Sequence, residues 1–81
     1  METRVAVISI IVTEAGPVET LNELLHEYAE YIIGRMGIPY KEKGINIISI
    51  AIDAPMDKIN SLSGELGRLS GINAKVTYAR V

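Results

Sequence analysis

The feature that most constrains this chain is a pair of β-branched runs that are apolar at almost every position. They are RVAVISIIVT at residues 4–13 and INIISIAID at residues 45–53. Neighbouring side chains of a strand point to opposite faces of a sheet, so a strand with one face in water alternates apolar and polar residues. Because these two runs do not alternate, both are predicted to be strands that are covered on both faces.

A helix and a short strand are predicted between the two runs. Pro17 opens the helix at the first-turn position that proline favours, and apolar residues recur at helical spacing up to a predicted stop at Gly34. Residues 35–40 form the short strand, and Pro39 places it at a sheet edge because proline has no N–H for the ladder. The charged stretch KEKG, residues 41–44, is predicted to be a hairpin turn.

A second helix and a last strand complete the predicted elements. Pro55 starts the helix, Gly71 ends it, and residues 72–81 form the strand. Gly64 and Gly67 lie inside this helix although glycine is a poor helix former. A close approach to this helix, by another part of the chain or by another molecule, is therefore expected.

The element order β-α-β-β-α-β predicts an α+β fold of the ferredoxin-like type, as a single domain over residues 1–81. Right-handed crossovers place the first and third strands in the centre of a four-stranded antiparallel sheet, and the second and fourth strands at its edges. Both helices then cover one face of the sheet, and the other face is free of helices.

The helix-free face is predicted to be an interface. Its side chains from the two central strands are Val5, Val7, Ser9, Ile11, Ile45, Ile47, Ser49 and Ala51. A contiguous apolar patch on a sheet usually marks a contact surface, and a second copy of the chain is its simplest cover. We therefore expect a homo-oligomer, either a dimer or a tetramer. The alternative is that these residues are only good strand formers on an exposed sheet.

Composition and spacing argue against catalysis, metal binding and contact with nucleic acid. The chain has no Cys, one His and a formal net charge of −2, so it has no disulfide, thiolate metal site or thiol nucleophile. His26 shares a predicted outer helix face with Glu23, Glu27 and Glu30, a pattern more typical of a solvated acidic face than of a metal site. We expect no enzyme activity, no metal, no cofactor and no direct nucleic-acid binding.

Positive charge is concentrated around the short strand and the hairpin. Arg35, Lys41 and Lys43 lie there, with Tyr40 beside them, and Gly37 leaves room for a ligand or a neighbouring backbone. One prediction is that this region binds an anionic ligand, either a small molecule or an acidic segment of a partner protein. The alternative is that the lysines only solubilise the hairpin and protect the sheet edge.

Three stretches carry a resemblance to a known family. They are GRMGIPY at residues 34–40, KGINIISIAID at 43–53 and INSLSGELGRLSGI at 59–72. Together they resemble the iron-only hydrogenase system regulators, a family of short bacterial proteins within the ACT-like group. This family is also similar to the C-terminal domain of nickel-responsive repressors. The resemblance implies an ACT-like, ferredoxin-like fold and an oligomeric regulatory domain that senses ligands at subunit interfaces.

The resemblance also implies candidate ligand contacts. The effector loop of ACT-like domains lies between the first strand and the first helix, which gives Glu14 and Gly16 here. The family pattern of an acid followed by Pro-Gly stands in reversed order, as EAGP at residues 14–17. Nickel repressors use His and Cys near the second strand, and residues 35–44 contain neither, so no nickel site carries over. Their DNA-binding segment has no counterpart either, so a transcriptional role is expected to run through a partner protein.

The leading hypothesis is a cytoplasmic regulatory module that senses a small ligand or a partner protein in the iron-only hydrogenase system. The apolar run at residues 5–12 is too short to span a bilayer, so no membrane association is expected. The candidate ligand contacts are Glu14, Gly16, Arg35, Gly37, Tyr40 and Lys41. The alternative hypothesis is an assembly adaptor that binds no ligand.

Overall fold

The structure, a computed structural model, describes residues 2–13 and 18–80. Its elements are β1 (Arg4–Val12), α1 (Val18–Glu27), β2 (Ile32–Tyr40), β3 (Ile45–Ala54), α2 (Met56–Gly67) and β4 (Ile72–Tyr78). Short 3-10 turns at Ala29–Tyr31 and Lys41–Lys43 precede and follow β2. With 10 and 12 residues, α1 and α2 fall short of a bilayer span, and no other helix of the described residues reaches that length.

The four strands form one antiparallel sheet in the order β2-β3-β1-β4. This order confirms the prediction that the first and third strands are central and that the second and fourth lie at the edges. It is the arrangement of the ferredoxin-like fold, with both helices packed on the same face.

The core lies between the sheet and the two helices. The helix-facing residues of the central strands are buried: Ala6, Ile8, Ile10 and Val12 in β1, and Ile48, Ile50 and Ile52 in β3. Against them pack the buried leucines and isoleucine of the helices: Leu21, Leu24, Leu25, Ile59, Leu62 and Leu66. Each buried side chain of this size stabilises the fold by roughly 1.5–3 kcal/mol, so these two strands and two helices hold the domain together.

The first helix is shorter than predicted, and Gly34 does not end it. Helix α1 ends at Glu27, and β2 already begins at Ile32, so Gly34 lies in a strand beside a bulge. The apolar spacing misled the prediction because Tyr28 and Ile32 still pack against the core after the helix has ended. Periodicity reports which residues are buried, and a tight turn can bury the same residues as a continued helix.

The second helix also differs from the prediction. It begins at Met56, directly after Pro55, and ends at Gly67 rather than at Gly71. Gly71 instead adopts a left-handed conformation, with φ of 75°, in the turn before β4. A Cβ at Gly64 would meet only the Arg68 side chain at 3.9 Å, and one at Gly67 would meet nothing within 4 Å. No described part of the chain therefore approaches these glycines closely, and an approach by another molecule stays a prediction.

The hairpin between β2 and β3 is confirmed. Lys41–Lys43 form a single 3-10 turn, which Gly44 closes with φ of 64°. The Gly44 N–H donates to the Lys41 carbonyl oxygen at 3.1 Å. A left-handed residue is needed to reverse the chain here, and glycine adopts that conformation without steric cost.

Candidate functional site

The helix-free side of the sheet, here called the open face, carries all the predicted interface residues. Strand pairing places Val7 opposite Ala51, Ser9 opposite Ser49 and Ile11 opposite Ile47 across the two central strands. Val5 and Val7 are 36% and 41% exposed, Ser9 is exposed, and the other predicted interface residues are half-buried. The residues therefore lie on the predicted face, and their contact with a partner stays a prediction.

The edge strand β2 extends this apolar surface. Met36, Ile38 and Tyr40 pair with Ser49, Ile47 and Ile45, so they lie on the open face, where they are 55%, 46% and 41% exposed. Met36 and Ile38 are not among the predicted interface residues. The period-two spacing of positions 36, 38 and 40 is the signal that identifies them, because Tyr40 adjoins the hairpin that fixes the register.

The fourth strand ends the apolar surface. Its side chains on the open face are Asn73, Lys75 and Thr77, which pair with Ile11, Ser9 and Val7. The open face is thus mostly apolar over three adjacent strands, apart from the paired Ser9 and Ser49 and the exposed Asp53 opposite Val5, and polar on the fourth. This asymmetry resembles an interface with an apolar centre and a polar rim more than a uniformly exposed sheet.

A cleft lies on the opposite side of the sheet, between α1 and the edge strand β2. It consists of two cavities of about 260 and 240 Å³ that share Asn22 and Arg35. The first is lined by Asn22, Leu25, His26, Ala29, Ile32 and Arg35, and the second by Val18, Asn22, Arg35, Gly37, Ile38, Pro39, Asn46 and Ile48. Arg35 Nη2 donates to Asn22 Oδ1 at 2.5 Å between them.

The structure brings together only some of the predicted ligand contacts. Arg35 and Gly37 pair with Ile50 and Ile48, so both lie on the helix side of β2 and line the same cavity. Tyr40 lies on the open face, where its hydroxyl donates to Glu42 Oε2 at 3.1 Å.

The remaining predicted contacts lie elsewhere. Lys41 is exposed in the hairpin turn. Glu14 and Gly16 lie outside the described residues. The residues predicted to cluster around the hairpin are therefore separated: Arg35 lies on the helix side, Tyr40 on the open face and Lys41 in the turn.

The acidic face predicted for the first helix is divided as well. Glu23 and Glu27 line a separate cavity of about 310 Å³ between the helices. Glu65 of α2 and Arg68, the residue after the end of α2, line the same cavity. His26 instead lines the cleft beside β2. Among residues 2–13 and 18–80, no group of three or more His, Cys, Asp or Glu side chains is arranged to hold a metal ion.

Comparison with known proteins identifies related chains. Residues 4–76 match a family described as "TM1266-like: Iron-only hydrogenase system regulator, putative". The structure of an uncharacterized protein, TM1266 from Thermotoga maritima, is similar with 34% identity and a TM-score of 0.94, over 98% of this chain and all of that one. None of the curated proteins compared with the chain matches it.

Two more distant structures share the fold. One is the ACT domain from the GTP pyrophosphokinase of Chlorobium tepidum, with a TM-score of 0.64 and 18% identity over 100% of this chain and 91% of that one. The other is a formyltetrahydrofolate deformylase from Pseudomonas putida KT2440, with a TM-score of 0.65 and 11% identity over 90% of this chain. This chain corresponds to only 28% of the deformylase, so the likeness concerns one domain. The resemblance to ACT-like domains is therefore confirmed at the level of the fold.

Proposed function

The chain belongs to the TM1266-like family of iron-only hydrogenase system regulators, and from this membership we propose that it is an oligomeric, non-enzymatic regulatory module. It acts in the cytoplasm, senses a small ligand, and affects transcription or maturation through a partner protein. The partner is needed because the chain carries a formal net charge of −2, which disfavours direct binding to nucleic acid.

The observation that carries this proposal is the apolar open face. Val7, Met36 and Ile38 are each at least 41% exposed on the helix-free side, and the isoleucines between them are half-buried. Monomeric proteins rarely leave so continuous an apolar surface in water. A second copy of the chain covers it with the same residues from both sides, as a two-fold contact requires.

The polar fourth strand favours one arrangement of the two copies. A two-fold axis parallel to β3 sets β3 against β3 and β2 against β1, which buries the three apolar strands. Lys75 and Thr77 of β4 then remain at the rim in water. Strands are spaced about 4.8 Å apart, so this footprint is only about 10 Å wide between the outer strand axes. We therefore expect a dimer that dissociates on dilution, or a tetramer held by a further contact.

Sedimentation at micromolar concentrations tests the open-face contact. The chain is expected to sediment as a dimer or tetramer. Ile47→Glu is expected to split a dimer into monomers and a tetramer into dimers, because a carboxylate would be buried at the centre of the open-face contact. Thr77→Glu is the matched control, since it adds the same charge on the same face at the polar rim. A monomeric parent chain, or an oligomer whose size Ile47→Glu leaves unchanged, contradicts the proposal.

A ligand-free assembly adaptor is the second candidate, and the open face supports it as well because the same surface can bind another protein. Thermal shift separates the two. A ligand that binds the native state raises the melting temperature in proportion to the logarithm of its concentration. If amino acids, nucleotides and simple anions all leave the melting temperature unchanged while a hydrogenase-system protein co-purifies, the adaptor function is favoured over sensing.

A further inference from the structure

The cleft between α1 and β2 differs in charge from the cavity between the two helices. The two cavities that form it are lined by one permanent cation, Arg35, and by the imidazole of His26. No described lining residue of either cavity is an aspartate or a glutamate. The carboxylates of Glu23 and Glu27 line the other cavity, between the helices. The cleft therefore carries the positive charge of the exposed Arg35 and no carboxylate among its described lining residues.

Arg35 has unused hydrogen-bonding capacity in this cleft. A guanidinium carries five N–H donors in a planar fork, and its only partner among the described residues is the Asn22 Oδ1 atom. That partner is a neutral amide oxygen. Hydrogen bonds from a guanidinium to an anionic oxygen are about twice as strong as neutral ones and are often bidentate. An anion is therefore a better acceptor for Arg35 than the amide that holds it.

The cleft has room for a small ligand next to this fork. Gly37 lies two residues further along the same side of β2, and a Cβ at this position would meet nothing within 4 Å. Each cavity is smaller than the roughly 300–1,000 Å³ of sites for drug-sized molecules. Asn46 of β3 lines the cavity beside Gly37 and supplies an amide N–H donor.

From these contacts we infer that the cleft binds a small oxyanion, either a carboxylate or a phosphate, on the Arg35 guanidinium. The anion replaces Asn22 as the acceptor, and His26 and Asn46 supply further donors at the two ends of the cleft. The inference rests on the sensing role proposed above and names the chemical class of the ligand. When the anion displaces Asn22, the hydrogen bond between Asn22 of α1 and Arg35 of β2 is broken. Ligand binding then changes how α1 is held against the sheet edge.

Titration with inorganic phosphate and with succinate, followed by amide NMR shifts, tests this site. The shifts are expected to concentrate at Asn22, His26 and Arg35. Arg35→Gln is expected to weaken binding at least about tenfold, because a charge-assisted contact is lost. Gly37→Leu fills the cavity and leaves the charge unchanged, and it is expected to weaken anion binding by a similar factor. The two anions distinguish a phosphate site from a carboxylate site.

Two further variants test whether the effect depends on Arg35 and on its competition with Asn22. Lys41→Gln removes the same charge from the exposed hairpin turn and is expected to change the affinity less than about twofold. Asn22→Ala removes the competing acceptor and is expected to bind at least as tightly as the parent. If Asn22→Ala and Arg35→Gln weaken binding equally, or if neither anion binds at millimolar concentration, the inference is overturned. Light scattering on the same samples tests the oligomer separately, so the two proposals fail independently.

Discussion

At the scale of single residues, Tyr28 forms a long-range polar contact that ties the end of the first helix to the second. Its hydroxyl donates to Glu65 Oε1 at 3.0 Å. Burial raises the pKa of Tyr28 above its usual 10.0, and the hydrogen bond and negative charge of Glu65 raise it further. A raised pKa means that folding favours the neutral hydroxyl. The contact therefore stabilises the fold fully below pH 10.0, and this contribution is lost as the pH rises through the higher folded value.

We predict that Tyr28→Phe lowers the free energy of unfolding by about 0.5–1.5 kcal/mol at neutral pH. The difference from the parent should shrink above the pKa of a free tyrosine, because the parent then loses the same contact by ionisation. Urea denaturation at neutral and strongly alkaline pH measures both values. Tyr40→Phe is the control, since its bond to Glu42 lies in an exposed turn. If the difference in unfolding free energy between Tyr28→Phe and the parent widens as the pH rises, the pKa of Tyr28 is not raised by folding and the prediction is contradicted.

At the scale of elements, two glycines of similar exposure should respond in opposite ways to alanine. Gly44 has φ of 64° in the hairpin, whereas Gly64 lies inside α2, where an added Cβ would meet only the Arg68 side chain at 3.9 Å. Gly44→Ala is predicted to destabilise the protein by about 1–2 kcal/mol, because an L residue is strained in that conformation. Gly64→Ala is predicted to stabilise it by roughly 0.5–1 kcal/mol. Thermal denaturation of both variants checks this, and equal effects would contradict the assigned backbone conformations.

The elements also show what the sequence can and cannot predict. The strand order follows from the element order and right-handed crossovers. The buried faces of β1 and β3 follow from period-two spacing, which fixes the side of every residue once one is placed. The same rule places Arg35 and Tyr40 on opposite faces, because they are an odd number of positions apart. The prediction of a single ligand site around the hairpin overlooked this separation. The contact between Arg35 and Asn22 could not be predicted, since it depends on how close α1 lies to the sheet edge.

At the scale of the whole molecule, stability and assembly should be coupled. A chain of 81 residues buries only about 60% of its unfolded surface and is marginal on its own. If the open face is covered by a second copy, association favours the folded state by mass action. The melting temperature should then rise with protein concentration, which an unassociated chain does not show.

We predict that a hundredfold increase in concentration through the micromolar range stabilises the parent chain by about 1–3 kcal/mol. For a domain of this size each 1 kcal/mol corresponds to about 4–8 °C, so the shift is readily measured by calorimetry. Ile47→Glu should abolish the concentration dependence, and Thr77→Glu at the polar rim should keep it. A parent melting temperature that stays constant over this range would mean that the exposed apolar strands are stable in water, and the open face would then have no role in assembly.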